Sequence, residues 1–542
     1  MIGRYPQQLV TGSVAATERR SGSRLPARRI PLWQRIVALA VLTPALFVGA
    51  AGGSYYIRLH LFCAAMSLDH LPVAPRPSAG RRLLVISPHC DDETLGVGGQ
   101  IADARRANLP VTVAFLTNGD GFRIAASRSL RKVNVGPADF VRFAELRQTE
   151  SLAALSELGV PADSVAFLGY PDRGLKPMWE TNWGADNPFQ SGFTDVNRSP
   201  YPRTFTTGAP YTGQSLVADL TRLMETTRPT DILVTHPADD HPDHSAAAAF
   251  TEAALRACRG RGEAWAVSAR LHYYIVHRGD WPLPQGSHPE KALLPPPGLV
   301  TSDTRWNVYA LSPAARAAKA RALSRYSSQL GISGRFLSSF LRTNELYADL
   351  PTPLAVAGVT IRTGINTVDG TSDEGDIGAC ETAAANLAGD NLARYVEPSG
   401  DVTDIRVRET DTLLCVRLRT RAEASPHIRY SIVVRGYESA PTGVPRSSIR
   451  TVNVPVPARG NGQDGHFIEA VVPLSSLGFD RVSSDRCVWV SAETRWLNRL
   501  PVIDRTGYRE FDIDAPRRVP IARQQGVPHV IARSRVPVRH VG

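Results

Sequence analysis

The 542-residue chain is 43% hydrophobic and 21% charged, a globular composition, and it is longer than one hydrophobic core usually organises. Its formal net charge of +11 is carried by arginine, since only Lys132, Lys176, Lys291 and Lys319 are lysines. No nucleic-acid-binding motif accompanies that charge, which argues against a nucleic-acid partner, and six cysteines in so long a chain exclude a disulfide scaffold.

A basic N-terminus, 1–35, precedes a nearly uncharged run over 36–57 that is long enough for a ~30 Å hydrocarbon core. The run predicts a transmembrane anchor. The positive-inside rule then keeps the N-terminus in the cytoplasm and exports everything after about residue 58, a single-pass protein of the cell membrane. The competing reading is a signal peptide cleaved near Val48-Gly49-Ala50, which would leave a secreted protein. A Pro-containing linker, 58–80, follows.

From 81 to 350 strands and helices alternate. Strands are expected over 83–87, 111–117, 164–169, 231–235 and 271–277, and helices over 100–107, 138–158, 214–227, 244–258, 313–330 and 333–347. This order predicts an α/β domain, a Rossmann-like doubly wound, mostly parallel sheet with helices on both faces. The loop 175–211 is long and holds Trp179, Trp183, Phe189, Phe193, Tyr201, Phe205 and Tyr211. Flat aromatic faces suit sugar rings, and a self-packed surface loop is the alternative.

Chemistry gathers past the carboxyl ends of such strands. The first strand runs into Ser87-Pro88-His89-Cys90-Asp91-Asp92-Glu93, an imidazole and crowded carboxylates on one turn, an arrangement that calls for a cation. The strand over 231–235 runs into His236-Pro237-Ala238-Asp239-Asp240-His241-Pro242-Asp243-His244, with three of the thirteen histidines. Catalytic zinc needs three ligands from His, Asp or Glu, an open position, and outer carboxylates that orient the imidazoles. The two strand ends supply that set. Gly96-Val97-Gly98-Gly99 lacks the dinucleotide fingerprint.

His-x-Asp-Asp-Glu after a first strand, with His-Pro-Asp-His after a fourth, resembles the zinc-dependent de-N-acetylases of the PIG-L or LmbE-like family, which act on N-acetylglucosaminyl lipids and glycosides. Arg147-Gln148-Thr149-Glu150, Phe167-Leu168-Gly169-Tyr170-Pro171-Asp172 and the 318–329 segment, Ala318-Lys319-Ala320 through Ser328-Gln329, are similar to further parts of that family, so the likeness covers about 80–350. The resemblance implies His89, Asp92 and His244 as ligands of Zn2+, or of another divalent metal. It implies Asp91 as general base on water, and His241 as the group that stabilises or protonates the tetrahedral intermediate. Asp243 is a candidate to orient one of the histidines, and Glu93 to support the loop. Asp172 is a candidate for a sugar hydroxyl; Arg147 could do likewise or pair with Glu150. The family usually has proline where this chain has Cys90. Its thiol either competes for the metal or is a small buried side chain facing away.

After Pro351-Thr352-Pro353 the pattern changes to short β-branched runs, which predict a β-sandwich over 355–514 that either binds carbohydrate or is purely structural. A basic tail, 515–542, rich in Pro and Arg and expected to be disordered, closes the chain. The expected function is zinc-dependent removal of the N-acetyl group from an N-acetylated amino sugar in a glycolipid, glycoside or polysaccharide outside the cytoplasm. The alternative is a non-catalytic, membrane-anchored glycan-binding protein with a degenerate enzyme domain.

Overall fold

The computed structural model describes residues 31–299, 304–350, 356–357, 383–385, 391–409, 412–438, 446–454, 465–479, 486–496 and 501–513. The basic N-terminus through residue 30, the 351–353 boundary and the tail 515–542 lie outside them.

Helix α1 spans Leu32–Ala65. The membrane anchor expected over 36–57 is overturned, and with it the placement at the cell membrane: among the described residues no helix is long and apolar enough to cross a membrane. Pro44 and the cluster Gly49, Gly52, Gly53 and Ser54 interrupt the apolar run. At its C-terminal end Tyr55 and Leu59 are buried in the fold, and the Tyr55 hydroxyl donates to Asp280 at 2.8 Å.

The α/β part is built from β1 (Leu83–Ser87), α2 (Asp92–Arg106), β2 (Val111–Thr117), α3 (Arg123–Leu130), α4 (Pro137–Glu157), β3 (Val165–Tyr170), α5 (Leu175–Glu180), α6 (Gly213–Thr227), β4 (Asp231–Thr235), α7 (Pro242–Gly260), α8 (Ala264–Ser268) and β5 (Arg270–Tyr274). It closes with β6 (Arg305–Ala310), α9 (Pro313–Ser324), α10 (Ser327–Ser338) and β7 (Asn344–Asp349). The seven-stranded sheet has the order β3-β2-β1-β4-β5-β7-β6; the first five strands are parallel, β7 runs antiparallel to β5, and β6 runs antiparallel to β7. Every residue of β1 and β4 is buried, as aliphatic strands covered on both faces must be. The chain leaves β1 toward β2 on one side and returns to β4 on the other, so a crevice opens between their carboxyl ends.

The helix expected over 333–347 instead stops at Ser338, and Asn344 to Asp349 form β7, a strand held by β6, which the sequence pattern did not reveal. The glycines after β1 serve packing: a Cβ on Gly96 would overlap the Tyr274 ring, and one on Gly99 the Leu311 side chain.

The C-terminal region is β-rich. Strands β8 (Val356–Ala357), β9 (Ala383–Ala385), β10 (Val402–Glu409), β11 (Leu413–Thr420) and β14 (Phe467–Pro473) make one sheet. Strands β12 (Ile428–Glu438), β13 (Arg446–Val454), β15 (Arg486–Trp496), β16 (Val502–Arg505) and β17 (Arg509–Ile513) make another, and α11 (Leu392–Val396) precedes β10. Ile405, Val416 and Ile468 of the first share a core with Ile432, Val488 and Val490 of the second. Trp179, which lies in α5 rather than in the loop expected over 175–211, is fully buried and meets Trp489 edge-on at 5.4 Å, so this region packs on the α/β part.

Candidate metal centre

The turn after β1 is strained where its chemistry sits. Asp91 has φ 140°, a conformation costing about 1–3 kcal/mol that residues adopt when surroundings impose it. Asp92 then opens α2, so its carboxylate turns back toward the His89 backbone N–H, which donates to Oδ2 at 2.9 Å. On the facing turn His241 caps α7 and Pro242 supplies a φ suited to a first helical residue, which aims His244 from the first turn into the crevice.

Three donor atoms converge there. His89 Nδ1 is 3.0 Å from His244 Nε2 and 3.2 Å from Asp92 Oδ2, and the last two are 3.1 Å apart. Atoms each ~2.0–2.2 Å from one ion lie ~2.9–3.5 Å from one another at octahedral or tetrahedral angles, so the triangle fits a single divalent ion. The outer atoms of both imidazoles meet carboxylates, as metal-ligating histidines usually do. His89 Nε2 is 3.4 Å from Asp243 Oδ2 and from Asp172 Oδ1. His244 Nδ1 is 3.2 Å from Asp239 Oδ2. The carboxylates are themselves fixed: Asp243 accepts the backbone N–H groups of Arg173 at 2.6 Å and Leu175 at 3.1 Å, Asp172 that of Gly121 at 2.9 Å, and Asp239 those of Val276, His277 and His241.

Charge follows from this packing. Burial opposes the charged form of His89, but hydrogen bonds with Asp172, Asp243 and Asp92 outweigh it and raise its pKa well above the ordinary value. Burial likewise opposes the ionised Asp92, yet His244 and His89 hold it well below the usual carboxylate range. For Asp91 burial wins: its carboxyl is pushed up to about 7 against the opposing Arg147 guanidinium. His241 is pushed well down by burial and by His89, His244 and His277, so it is neutral. Its Nδ1 accepts the Asp243 backbone N–H at 3.2 Å, which leaves the ring proton on Nε2.

Arg147 is 3% exposed and holds loops: Nη1 donates to the Gly119 carbonyl at 3.0 Å and Nη2 to the Cys90 carbonyl at 2.5 Å, 3.4 Å from Asp91 Oδ1. The alternative pairing with Glu150 is not what is found, because Glu150 takes Ser327 and Ser328 instead. Cys90 is fully buried, its Sγ 4.0 Å from the Thr117 carbonyl and its thiol pushed up to about 12 by burial, so it is a packing residue. Glu93 supports the turn by accepting from Thr94 and Tyr326, each at 2.5 Å. Of the aromatics over 175–211, Trp179, Tyr201 and Tyr211 are buried and present no flat face to a sugar. Two residues were not singled out from the sequence. His277, whose ring lies 5.0 Å from that of His244, follows a strand with no motif around it. Asp239 was visible only as one of several carboxylates between histidines.

Residues 84–255 match the family model described as PIG-L, GlcNAc-PI de-N-acetylase, and this segment is a PIG-L family domain. The chain is 33% identical over 208 residues to the 1D-myo-inositol 2-acetamido-2-deoxy-alpha-D-glucopyranoside deacetylase of Tsukamurella paurometabola, covering 37% of this chain and 64% of the relative. It is 30% identical over 182 residues to the protein of the same name from Nocardia farcinica, covering 33% and 53%. The chain thus spans about half to two thirds of the length of these curated relatives. Among solved structures, the A40926 pseudoaglycone deacetylase Dbv21 is similar at 20% identity and a TM-score of 0.31, over 49% of this chain and 96% of that one.

Proposed function

We propose that the protein is a metal-dependent hydrolase that removes the acetyl group from an N-acetylglucosamine-type glycoside or glycolipid. The observation that carries the reading is the 3.0–3.2 Å donor triangle of His89, Asp92 and His244 with the buried carboxyl of Asp91 on the same turn. His89, Asp92 and His244 would hold the ion, zinc by the chemistry of the donor set. When bound, such an ion supplies Lewis acidity to an amide carbonyl and makes water easier to deprotonate.

Asp91 takes a proton from the attacking water. Arg147, 3.4 Å away, fixes the direction of that carboxylate. The water oxygen bonds to the acetyl carbon while His241 donates its Nε2–H to the oxygen on which charge develops. The C–N bond then breaks as the departing amine nitrogen takes the proton stored on Asp91, and the acetic acid released loses its own proton to solvent as acetate, while His241 keeps its Nε2–H throughout. Asp243 and Asp172 hold the His89 ring; Asp172 is also the candidate to receive a sugar hydroxyl. We read the two C-terminal sheets as a sandwich packed against the enzyme domain. Acetate release from N-acetylglucosaminyl glycosides, with and without a chelator, is the test: chelator-sensitive release is expected, and no release from any such substrate would refute the reading.

A further inference from the structure

Two separate features of the C-terminal region fall on the turn that carries His241. Arg394, in α11, is 1% exposed, and its guanidinium bridges two carboxylates: Nη2 is 2.7 Å from Asp240 Oδ1 and Nε is 2.7 Å from Asp504 Oδ1. Asp504 in turn accepts the backbone N–H of Val402 at 2.9 Å, so the arginine is anchored to β16 and β10. Asp240 immediately precedes His241, its Oδ2 accepts the Gly279 N–H at 2.6 Å, and its own N–H donates to the His277 carbonyl at 2.7 Å. The second feature is Gly507, at φ 75°, where an added Cβ would overlap the Pro237 carbonyl and lie 3.1 Å from Ala238 N. The loop there passes backbone to backbone over the start of the same turn. Other contacts with this region fall elsewhere: Trp489 donates to Glu252 and Arg256 meets Glu510 and Asp512 along α7, while Tyr508 donates to Glu180 and Trp489 packs on Trp179 at α5.

We propose that Arg394 is a positioning residue for His241, and that the C-terminal region completes the deacetylase site by fixing the 237–241 turn. This rests on the role of His241 given above. Arg394, Asp504 and Gly507 all lie outside the segment matched to the family. A planar guanidinium can serve two carboxylates at once, whereas an ammonium on a flexible stem can serve one well. A shift of about 1 Å in a group contacting the reacting atoms can cost about 100-fold in rate, so loosening the turn reads out in kcat rather than in binding.

The test uses the full chain with Arg394→Ala, Arg394→Lys and, as the interface control, Asp512→Ala. Acetate release gives kcat and KM, and amide hydrogen exchange is followed over 237–241. Arg394→Ala is expected to lose at least about 10-fold in kcat with KM within about 3-fold and to exchange faster at the turn, Arg394→Lys to do so partially, and Asp512→Ala to do neither. Wild-type kcat in Arg394→Ala, or losses of the same size in Asp512→Ala, would overturn the proposal. If Arg394→Ala does not fold, undiminished kcat in Arg394→Lys overturns it. Should the wild type release no acetate, the functional reading fails instead, and exchange at the turn still decides whether Arg394 fixes it.

Discussion

Asp91→Asn separates proton transfer from metal binding. The substituted side chain keeps its shape, tolerates a positive φ better than most residues, and still reaches the Arg147 guanidinium. It cannot take a proton. A positioned general base contributes ~100- to 10,000-fold, about 3–5 kcal/mol of barrier. The upper half of that range is expected here, because the nearby carboxylates are already engaged: Asp243 by two backbone N–H groups, and Asp172 by that of Gly121 and by His89. Asp92, His89 and His244 are untouched, so the metal content should stay at the wild-type level and KM should change little. Acetate release measured on chelator-stripped, reloaded enzyme, beside metal analysis of the same samples, gives both numbers. Turnover within a few-fold of wild type would show that Asp91 is not the base, and loss of the metal would show that it is a ligand instead.

His244→Ala should abolish metal binding while the fold persists, since it removes one corner of the donor triangle at the start of a helix that is otherwise intact; equilibrium dialysis checks this. Lys319→Met should destabilise the protein by about 3–5 kcal/mol in denaturant unfolding, because it strands the buried Glu345 carboxylate, which lies 2.7 Å from Lys319 Nζ and also accepts the Gly99 and Gln100 N–H groups. Glu252, buried between Tyr273 and Trp489, is pushed up to about 7 by burial and by Glu510. A raised folded pKa stabilises below the unfolded value and is lost as pH climbs through the folded one. Stability should therefore fall as pH climbs from the unfolded value through about 7, and Glu252→Gln should flatten that fall in unfolding curves measured across the window.

The centre was legible because its residues sit in two short segments directly after aliphatic strands, where periodicity and local composition agree. What places His89 beside His244 is the strand order, and an alternation of strands and helices already implied a crevice between two carboxyl ends. The misses share a cause in tertiary packing. Asn344 to Asp349 pair with a strand nearly forty residues earlier, a partner that local propensity does not show. Trp179 looked like a sugar platform because its true neighbours, Trp489 and Arg435, come from the C-terminal region, more than 250 residues away. Asp239 acts through hydrogen bonds to the strand-end residues Val276 and His277, which no motif encodes. The apolar run over 36–57 matched a membrane span in length, yet Tyr55 near its end is buried against Asp280 and Tyr395.

The most direct measurement is anomalous diffraction from crystals of the metal-loaded protein, collected on either side of the absorption edge of the ion. One peak ~2.0–2.2 Å from His89 Nδ1, Asp92 Oδ2 and His244 Nε2 is expected, with Asp91 beside it and uncoordinated. A peak elsewhere, or an ion bound by Asp91 or Cys90, would contradict the shared centre from which the chemistry is derived.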